Sequence, residues 1–322
     1  MGRLIPLGFL GGAPIRPFTF DTSVATGSTN FIFGGAYAPL ANAKWFIFHA
    51  ASNNTATTNY RYTNNANPST GWATGTMPSS ARWGQAASSG TRIVAANTGD
   101  NGTVGAYSDN GTTWTSTTIW STTQQTTRVI HDGTRFLALG TSQTTQNLAT
   151  SSDGATWARI LLASTSFRDI AYDGSSTYIA LASGSGLSEI CTSNPTVAGN
   201  WTQITGLTLV GARAIAYGNG VWVAIRDNGS TSYATSTNGT TWTARTFAVA
   251  PSSSGDFTKI TFHNGYFYYQ SSATAIYSSP DGITWTAQTT PTIGTPIRGW
   301  PTDGNFMLAL GGSSATIAIG RK

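Results

Sequence analysis

Residues able to carry catalysis are scarce in this sequence of 322 residues. Asp and Glu together number 12, Glu189 is the single glutamate, and there are three histidines and one cysteine, Cys191. A reactive cysteine needs a neighbour that lowers its thiol pKa, whereas Cys191 falls in a strand-like alternation, so we predict a buried structural thiol. Most aspartates fall in turn motifs, where they hydrogen-bond the backbone. We therefore predict that the protein is not an enzyme.

The histidines and acidic loops do not predict a metal centre. His49, His131 and His263 are far apart in the sequence, and the last two precede turn sequences in the same way as Tyr172. We interpret them as turn-packing residues and not as a converging ligand triad. The loop around Asp100 lacks the acidic density that calcium binding requires. We predict neither a metal nor a cofactor.

One set of charged residues recurs at the same point of successive sequence repeats. Each member comes one residue before the core of a strand, so the set would form a ring about the axis if the repeats close into a circle. Crowded like charges indicate an anionic partner. The alternative is a structural brace, in which each side chain pairs with a neighbouring carbonyl or with an aspartate such as Asp169. The members are Arg82, Arg128, Arg168, Arg213, Lys259 and Arg298, and the first repeat has Asn30 instead.

The remaining composition excludes several classes of protein. A formal net charge of +5 is mild for this length and unlike that of a non-specific nucleic-acid binder. No run of 18 apolar residues occurs that would cross a membrane as a helix. The apolar opening segment, residues 1–20, is broken by Gly and Pro, unlike a secretory signal. We predict a folded protein with no nucleic-acid partner and no membrane insertion.

The strands that would position these recurring cations belong to a sequence repeat that is marked by a tryptophan. Trp72, Trp114, Trp157, Trp201, Trp242 and Trp285 recur at spacings of 42, 43, 44, 41 and 43 residues. Four of them end the motif S-x-[DN]-G-x-T-W, whose Asn-Gly or Asp-Gly supplies the positive φ of a tight turn and whose Ser and Asp side chains can cap turn amides. Trp72 and Trp201 lack the motif, which predicts longer turns there. The motif residues are Ser108, Asn110, Gly111 and Trp114; Ser151, Asp153, Gly154 and Trp157; Ser236, Asn238, Gly239 and Trp242; and Ser279, Asp281, Gly282 and Trp285.

An earlier hairpin in each repeat completes the unit. It is clearest at residues 215–225, where Asn219-Gly220 separates two apolar strands. Each repeat then contains four antiparallel strands, which is one propeller blade. The sequence therefore predicts an all-β, seven-bladed propeller of four-stranded blades over residues 16–322. The first strands begin near Phe31, Trp83, Val129, Asp169, Ala214, Ile260 and Gly299.

The seventh repeat contains only three strands and ends around Ile319. An unpaired blade edge invites aggregation, and the segment at residues 16–21 would cover it by supplying the fourth strand. We expect Phe18 and Phe20 to face the core beside Ile317 and Ile319. The N-terminal strand would thereby close the ring.

The S-x-[DN]-G-x-T-W repeats resemble the Asp-box (bacterial neuraminidase repeat) propellers, a family of sialidases and of non-enzymatic phage and surface proteins. The commoner family form has one more residue between the Asp and the Thr, so the resemblance implies a tighter turn here. In the family the motif is structural and lies opposite the sialidase active site, so it does not imply catalysis. A sialidase needs an arginine triad, a Tyr–Glu pair and an aspartic acid. The F-R-I-P signature is absent and Glu189 falls in a third strand, which favours the non-enzymatic branch.

The charge-poor, Thr/Ser/Gly/Asn-rich composition favours a virion structural or attachment protein of a tailed bacteriophage. Residues 1–15 would be an N-terminal arm that docks the propeller onto other virion proteins. A secreted or cell-surface location is the alternative. Strand order predicts that the cationic ring opens opposite the Asp-box motifs, where a phosphate, an acidic glycan or an acidic partner loop would bind.

A second functional hypothesis is a glycan-binding module. Its contacts would come from polar loops at residues 97–102, 141–147, 183–188 and 227–230. A sialidase-like hydrolase is the third hypothesis and the least favoured.

Overall fold

Turn motifs and apolar strands fold each repeat into one antiparallel sheet, and seven such sheets form a β-propeller. The computed structural model describes residues 16–27, 31–52, 55–99, 102–141, 145–164, 167–182, 187–226, 229–252, 259–312 and 315–322. Within these ranges the chain forms no helix with the length and hydrophobicity of a transmembrane segment. The predicted fold class is confirmed.

The strands of each blade are given from the innermost outward. Blades 1 to 4 are β2 (Phe31–Tyr37), β3 (Trp45–Ala50), β4 (Thr57–Thr63), β5 (Ala73–Ala81); β6 (Trp83–Ser88), β7 (Ile93–Asn97), β8 (Val104–Ser108), β9 (Thr115–Thr118); β10 (Thr126–His131), β11 (Phe136–Gly140), β12 (Leu148–Ser151), β13 (Ala158–Ile160); and β14 (Phe167–Tyr172), β15 (Tyr178–Ala182), β16 (Glu189–Cys191), β17 (Trp201–Gln203). Blades 5 to 7 are β18 (Ala212–Gly218), β19 (Val221–Arg226), β20 (Ser232–Ser236), β21 (Thr243–Thr246); β22 (Thr261–His263), β23 (Tyr266–Ser272), β24 (Ala275–Ser279), β25 (Thr286–Thr289); and β26 (Ile297–Gly299), β27 (Phe306–Gly311), β28 (Thr316–Arg321), β1 (Thr19–Ala25). One short 3-10 helix, Ala198–Asn200, precedes β17.

The hydrophobic core lies between neighbouring blades. Trp83 and Ile93 of blade 2, for example, join Phe46 and Phe48 of blade 1 in one buried cluster. Both faces of a blade are covered in this way, so the second strands read as continuous apolar runs and not as alternating patterns. Strand β11 is buried along its whole length.

The chain ends meet in blade 7, as predicted. Strand β1 pairs antiparallel with β28, with Val24 opposite Ile317, and the backbone N–H of Phe18 donates to the Tyr268 hydroxyl at 2.9 Å. Phe18 and Phe20 are buried in the cluster shared by blades 6 and 7.

The predicted neighbours of these phenylalanines were wrong. Ile317 and Ile319 pack instead in the cluster shared by blades 7 and 1. The two isoleucines point to one face of β28, whereas Phe20 lies opposite Gly320 and faces the other side of the blade.

The S-x-[DN]-G-x-T-W turns have the predicted cap. In the first of them, Asn110 Oδ1 accepts from the Thr112 and Thr113 amides at 2.9 and 2.8 Å, and the Ser108 hydroxyl accepts from Gly111 N at 2.8 Å. Only the glycine has positive φ, at 84° for Gly111. The Asn219-Gly220 hairpin differs, because both of its residues have positive φ.

Some hairpins between the first and second strands of a blade also hydrogen-bond to the next blade. Asn219 Nδ2 of blade 5 donates to the Pro280 carbonyl in the S-x-[DN]-G-x-T-W turn of blade 6 at 2.8 Å. Asn42 N of blade 1 donates to the Asn110 carbonyl in blade 2 at 3.0 Å. The first hairpins and the S-x-[DN]-G-x-T-W turns therefore share one face of the propeller, and the loops between blades occupy the opposite face.

Candidate functional site

The seven first strands surround an axial channel with a volume of about 400 Å³. Arg128, Lys259 and Arg298 line it, and no Asp or Glu is among the described residues of its wall. A cleft lined by charges of one sign concentrates the electrostatic field and attracts counter-ions. The channel is therefore the best-formed candidate for an anion site.

Three of the six predicted ring members reach this channel, and Arg82, Arg168 and Arg213 are not among its described lining. The strand register places the cations differently relative to a β-bulge near the start of the first strand. The inserted residue is Arg168 in blade 4, Arg213 in blade 5 and Arg298 in blade 7. In blade 3 it is Thr127, and Arg128 follows it. Because Arg298 lines the channel and the other two do not, the bulge alone does not decide which cations reach the axis.

The members of the predicted cationic ring therefore do not share one register in their strands. Arg82 comes just before strand β6, two residues ahead of the bulge at Gly84. A shift of one residue along a strand turns a side chain to the opposite face. Equal spacing in the sequence thus does not give equal positions around the axis. Asn30 of the first repeat lies outside the described residues.

The structural brace, the alternative interpretation of the recurring cations, is present at one of these positions. Arg128 Nε lies 3.3 Å from Asp169 Oδ1, and the Asp169 side chain is only 1% exposed. The carboxylate also accepts from the amides of Ile170 at 3.0 Å and Ile215 at 3.2 Å. Asp169 therefore links blades 3, 4 and 5 around the channel.

Two other cations enclose an aromatic ring. The guanidinium carbons of Arg82 and Arg298 lie 5.5 and 5.4 Å from the centre of the Phe33 ring. Burial, together with the nearby charge of Arg82, lowers the pKa of Arg298 to about 10. Arg298 stays protonated at pH 7, and an anion beside it would relieve the cost of burying that charge.

The end of the channel nearer the first hairpins carries aromatic and histidine side chains. Tyr172, Tyr217 and His263 line this end. Burial and the nearby positive charge of Arg128 lower the pKa of His263 to about 4, so this histidine is neutral at pH 7. His131 accepts a hydrogen bond from the Gly133 amide at 3.2 Å, as expected for a turn-packing residue.

The other candidate residues lie apart from the channel. Glu189 and Cys191 are buried at 1% and 0% exposure, and burial raises the pKa of the Cys191 thiol. Among the described residues no three His, Cys, Asp or Glu side chains converge to hold a metal ion. The predicted docking arm, residues 1–15, lies outside the described residues. So do residues 100–101, 142–144, 183–186 and 227–228 of the predicted glycan loops.

Comparisons with known proteins support the fold. A family model described as the DUF6242 beta propeller domain matches residues 199–317, less than half of the chain. YCF48 bound to D1 peptide superposes with a TM-score of 0.68 at 12% identity, covering 96% of this chain and 97% of that one. Virginiamycin B lyase from Staphylococcus aureus gives a TM-score of 0.70 at 10% identity, covering 94% and 98%. PorZ, a surface component of the type-IX secretion system of Porphyromonas gingivalis, gives 0.63 at 12% identity, covering 94% of this chain and 37% of that one.

No curated protein sequence matches the chain. At these identities the structural likeness shows the propeller fold alone. Membership of the Asp-box family, and of its phage branch, stays a prediction.

Proposed function

We propose that this protein is a non-enzymatic binding propeller whose axial channel accepts an acidic segment of a protein partner. The observation that carries the proposal is the positive charge of the channel wall, which contains Arg128, Lys259 and Arg298 and, among its described lining residues, no Asp or Glu. Arg128 is also paired with Asp169 beside the channel. Lys259 and Arg298 are 7% and 5% exposed, so water screens their charges poorly. A carboxylate placed between them would gain charge-assisted hydrogen bonds.

A peptide is the favoured source of that carboxylate. YCF48, a propeller of the same fold, is bound to D1 peptide. The channel also carries aromatic side chains at its other end, and Arg128 and His131 are three residues apart on one strand, or about 10 Å. A short extended segment spans that length with an acidic residue at one end and an apolar residue at the other.

The placement of the carboxylates near the axial channel supports the proposal that the protein is not an enzyme. A sialidase needs a glutamate that activates its tyrosine nucleophile and a separate aspartic acid at the reacting bond. Asp169, the carboxylate beside Arg128, is buried and holds two backbone amides. Glu189 accepts from the Ser164 amide at 2.6 Å between blades 3 and 4. Turnover of a fluorogenic sialoside by the purified protein would contradict this part of the proposal.

Binding is tested with hexaglutamate as the probe, by calorimetric titration at low and high salt. We expect Lys259→Gln to weaken binding about tenfold and to reduce its salt dependence, because one desolvated charge contact is lost. Arg168→Gln is the matched control, since Arg168 occupies a first strand but is not among the described channel lining. Equal losses in both variants, or no binding of hexaglutamate to the wild type, would refute the channel as the site.

The role in a virion stays a prediction, as does its alternative of a secreted or surface protein. Both rest on composition and on residues 1–15. An acidic loop of a neighbouring virion protein would be one occupant that fits the channel.

A further inference from the structure

A second opening lies on the side of the propeller, between blades 4 and 5. It has a volume of about 440 Å³ and is lined by the linker at residues 206–210, by Arg226 and Arg245, and by Trp242. We call it the side cleft. Its floor contains Ala234 and Ala244, which face each other across strands β20 and β21.

The repeat shows what normally fills this space. Ala244 comes two residues after the repeat tryptophan, and the cross-strand pair at this point faces the preceding blade. In blade 3 the pair is Ala149 and Arg159, and Arg159 donates to the Ile119 and Thr118 carbonyls of blade 2, both at 2.7 Å. A large side chain thus closes the space between blades 2 and 3.

Other blades close the same space by other means. In blade 1 the pair is Arg61 and Thr74, and Arg61 Nε donates to the Thr26 carbonyl of blade 7 at 2.7 Å. In blade 6 Tyr277 of the equivalent pair stacks on Tyr269 with ring centres 5.1 Å apart.

Blade 2 uses its neighbour, and blade 7 uses its own N-terminal segment. Blade 2 has the small pair Ala106 and Ser116, and Met77 of the preceding blade packs there. In blade 7 Phe18 and Phe20 pack against Ala318.

Blade 4 fills its space with an acid. Glu189 and Gln203 form the pair, and Glu189 Oε1 accepts from the amide of Ser164 in the linker between blades 3 and 4. The molecule therefore contains one carboxylate at the position that Ala234 occupies in blade 5, where Ala234 is 4% exposed and packs with Leu207 of the linker while Ala244 stays exposed. Protein interiors are close-packed, so an open space with alanines on its floor suits a side chain from outside.

The charges that line the side cleft also favour an acidic side chain. Arg226 and Arg245 line it, and no Asp or Glu is among its described lining residues. Val210 at its rim is 64% exposed, and Trp242 is partly buried beside it. Strand β21 is the outermost strand of its sheet, so its outer edge can pair with an added strand.

We propose that the side cleft binds an extended acidic peptide of a protein partner, which adds to β21 and inserts a glutamate over Ala244. The glutamate covers the exposed Ala244, and its carboxylate lies by Arg226. Residues two positions to either side point the same way along a strand. Apolar residues there would contact Trp242 and the linker.

The probe is the peptide Ac-Val-Thr-Glu-Thr-Val-NH2, whose apolar residues suit either strand direction. Its affinity for the full chain is measured by calorimetry and by the shift of the Trp242 indole resonance. We expect a dissociation constant on the order of 1 mM, as for a small surface ligand. The peptide with Gln in place of Glu should bind about tenfold more weakly, because it loses the charge-assisted contact.

Ala244→Arg recreates the side chain that closes the space in blade 3, and we expect it to abolish binding without loss of thermal stability. Ala287→Arg is the matched control, at the equivalent position of blade 6, and should bind as the wild type does. If Ala244→Arg fails to fold, Arg226→Gln replaces it, with an expected loss of about tenfold.

The proposal is overturned if the peptide does not bind at 10 mM, on the order of tenfold above the expected constant. The proposal is also overturned if the Gln peptide binds as tightly as the Glu peptide, or if the cleft variants bind the Glu peptide as tightly as the wild type does. Tighter binding of trigalacturonate, a carboxylated sugar, than of the Glu peptide overturns it as well. Lys259→Gln, which alters only the axial channel, should leave peptide binding at the side cleft unchanged. The two sites can therefore fail independently.

Discussion

Arg298→Met should make the protein more stable. Burial and the nearby charge of Arg82 lower the pKa of Arg298 to about 10. At about 1.4 kcal/mol for each pKa unit, a fall of that size from the ordinary value corresponds to about 3 kcal/mol of destabilisation. The variant also loses the contact between the guanidinium and Phe33, worth about 1 kcal/mol. We expect a net gain of about 2 kcal/mol in the free energy of unfolding.

The assay is urea denaturation at pH 7, followed by tryptophan fluorescence. The gain should stay constant between pH 6 and 9, because in that range Arg298 is protonated in both the folded and the unfolded state. Wild-type stability would rise with pH only above about 10, where the unfolded state binds more protons than the folded state. Arg168→Met, in the first strand of blade 4, is the control and should change stability by less than about 1 kcal/mol.

Two further measurements connect this stability to binding. Added sulfate should stabilise the wild type more than Arg298→Met, because an anion in the channel offsets the buried charge. Arg82→Met should also stabilise, and the double variant should gain less than the sum of the two single gains, since each removes the same repulsion. A loss of more than about 1 kcal/mol in Arg298→Met would refute the reasoning, because it would show that the contacts of the guanidinium outweigh the cost of burying it.

Three other predictions follow from the described contacts. Deleting residues 1–25 should lower the melting temperature by more than about 10 °C, because it removes a strand and two buried phenylalanines. Deleting residues 1–12 should leave calorimetric melting unchanged and abolish docking. Equal effects of the two deletions on melting would contradict the role of β1. Asp169→Asn should lower the free energy of unfolding by about 2–4 kcal/mol, measured by urea denaturation, because the new amide would face a backbone N–H and Arg128 would lose its carboxylate partner. A change below about 0.5 kcal/mol would count against the brace. Burial raises the pKa of Glu189, so its contribution to stability is present below its unfolded pKa and lost as pH rises through the folded value. Glu189→Gln should therefore be more stable than the wild type at pH 8 and lose that advantage near pH 4 in thermal melts, and an advantage independent of pH would contradict this reasoning.

Much of the fold was predictable because its signals are local. The S-x-[DN]-G-x-T-W turn depends on residues that are neighbours in the chain, such as Ser108, Asn110 and Gly111, which form the cap among themselves. The recurring first strands predicted the number of blades. The three-stranded last repeat predicted closure by the N-terminal strand, since an unpaired edge has to be covered.

The candidate site was predictable only in part. The sequence indicated recurring cations and also the alternative of a brace, and the structure contains both, with Arg298 in the channel wall and Arg128 paired to Asp169. It did not indicate which cations reach the axis. Arg168, Arg213 and Arg298 each occupy the inserted position of a β-bulge, but only Arg298 is among the described channel lining, so the packing around each side chain decides the outcome.

The sequence by itself determined the repeat, the capped turns, the closing strand and the shortage of catalytic groups, because each depends on residue type and spacing along the chain. Tertiary structure alone decided that Phe20 faces blade 6 while Ile317 faces blade 1. It also decided that the space beside Ala244 stays open. Packing between blades joins residues more than a repeat apart, and whether a side chain fills a space depends on what the neighbouring blade presents there.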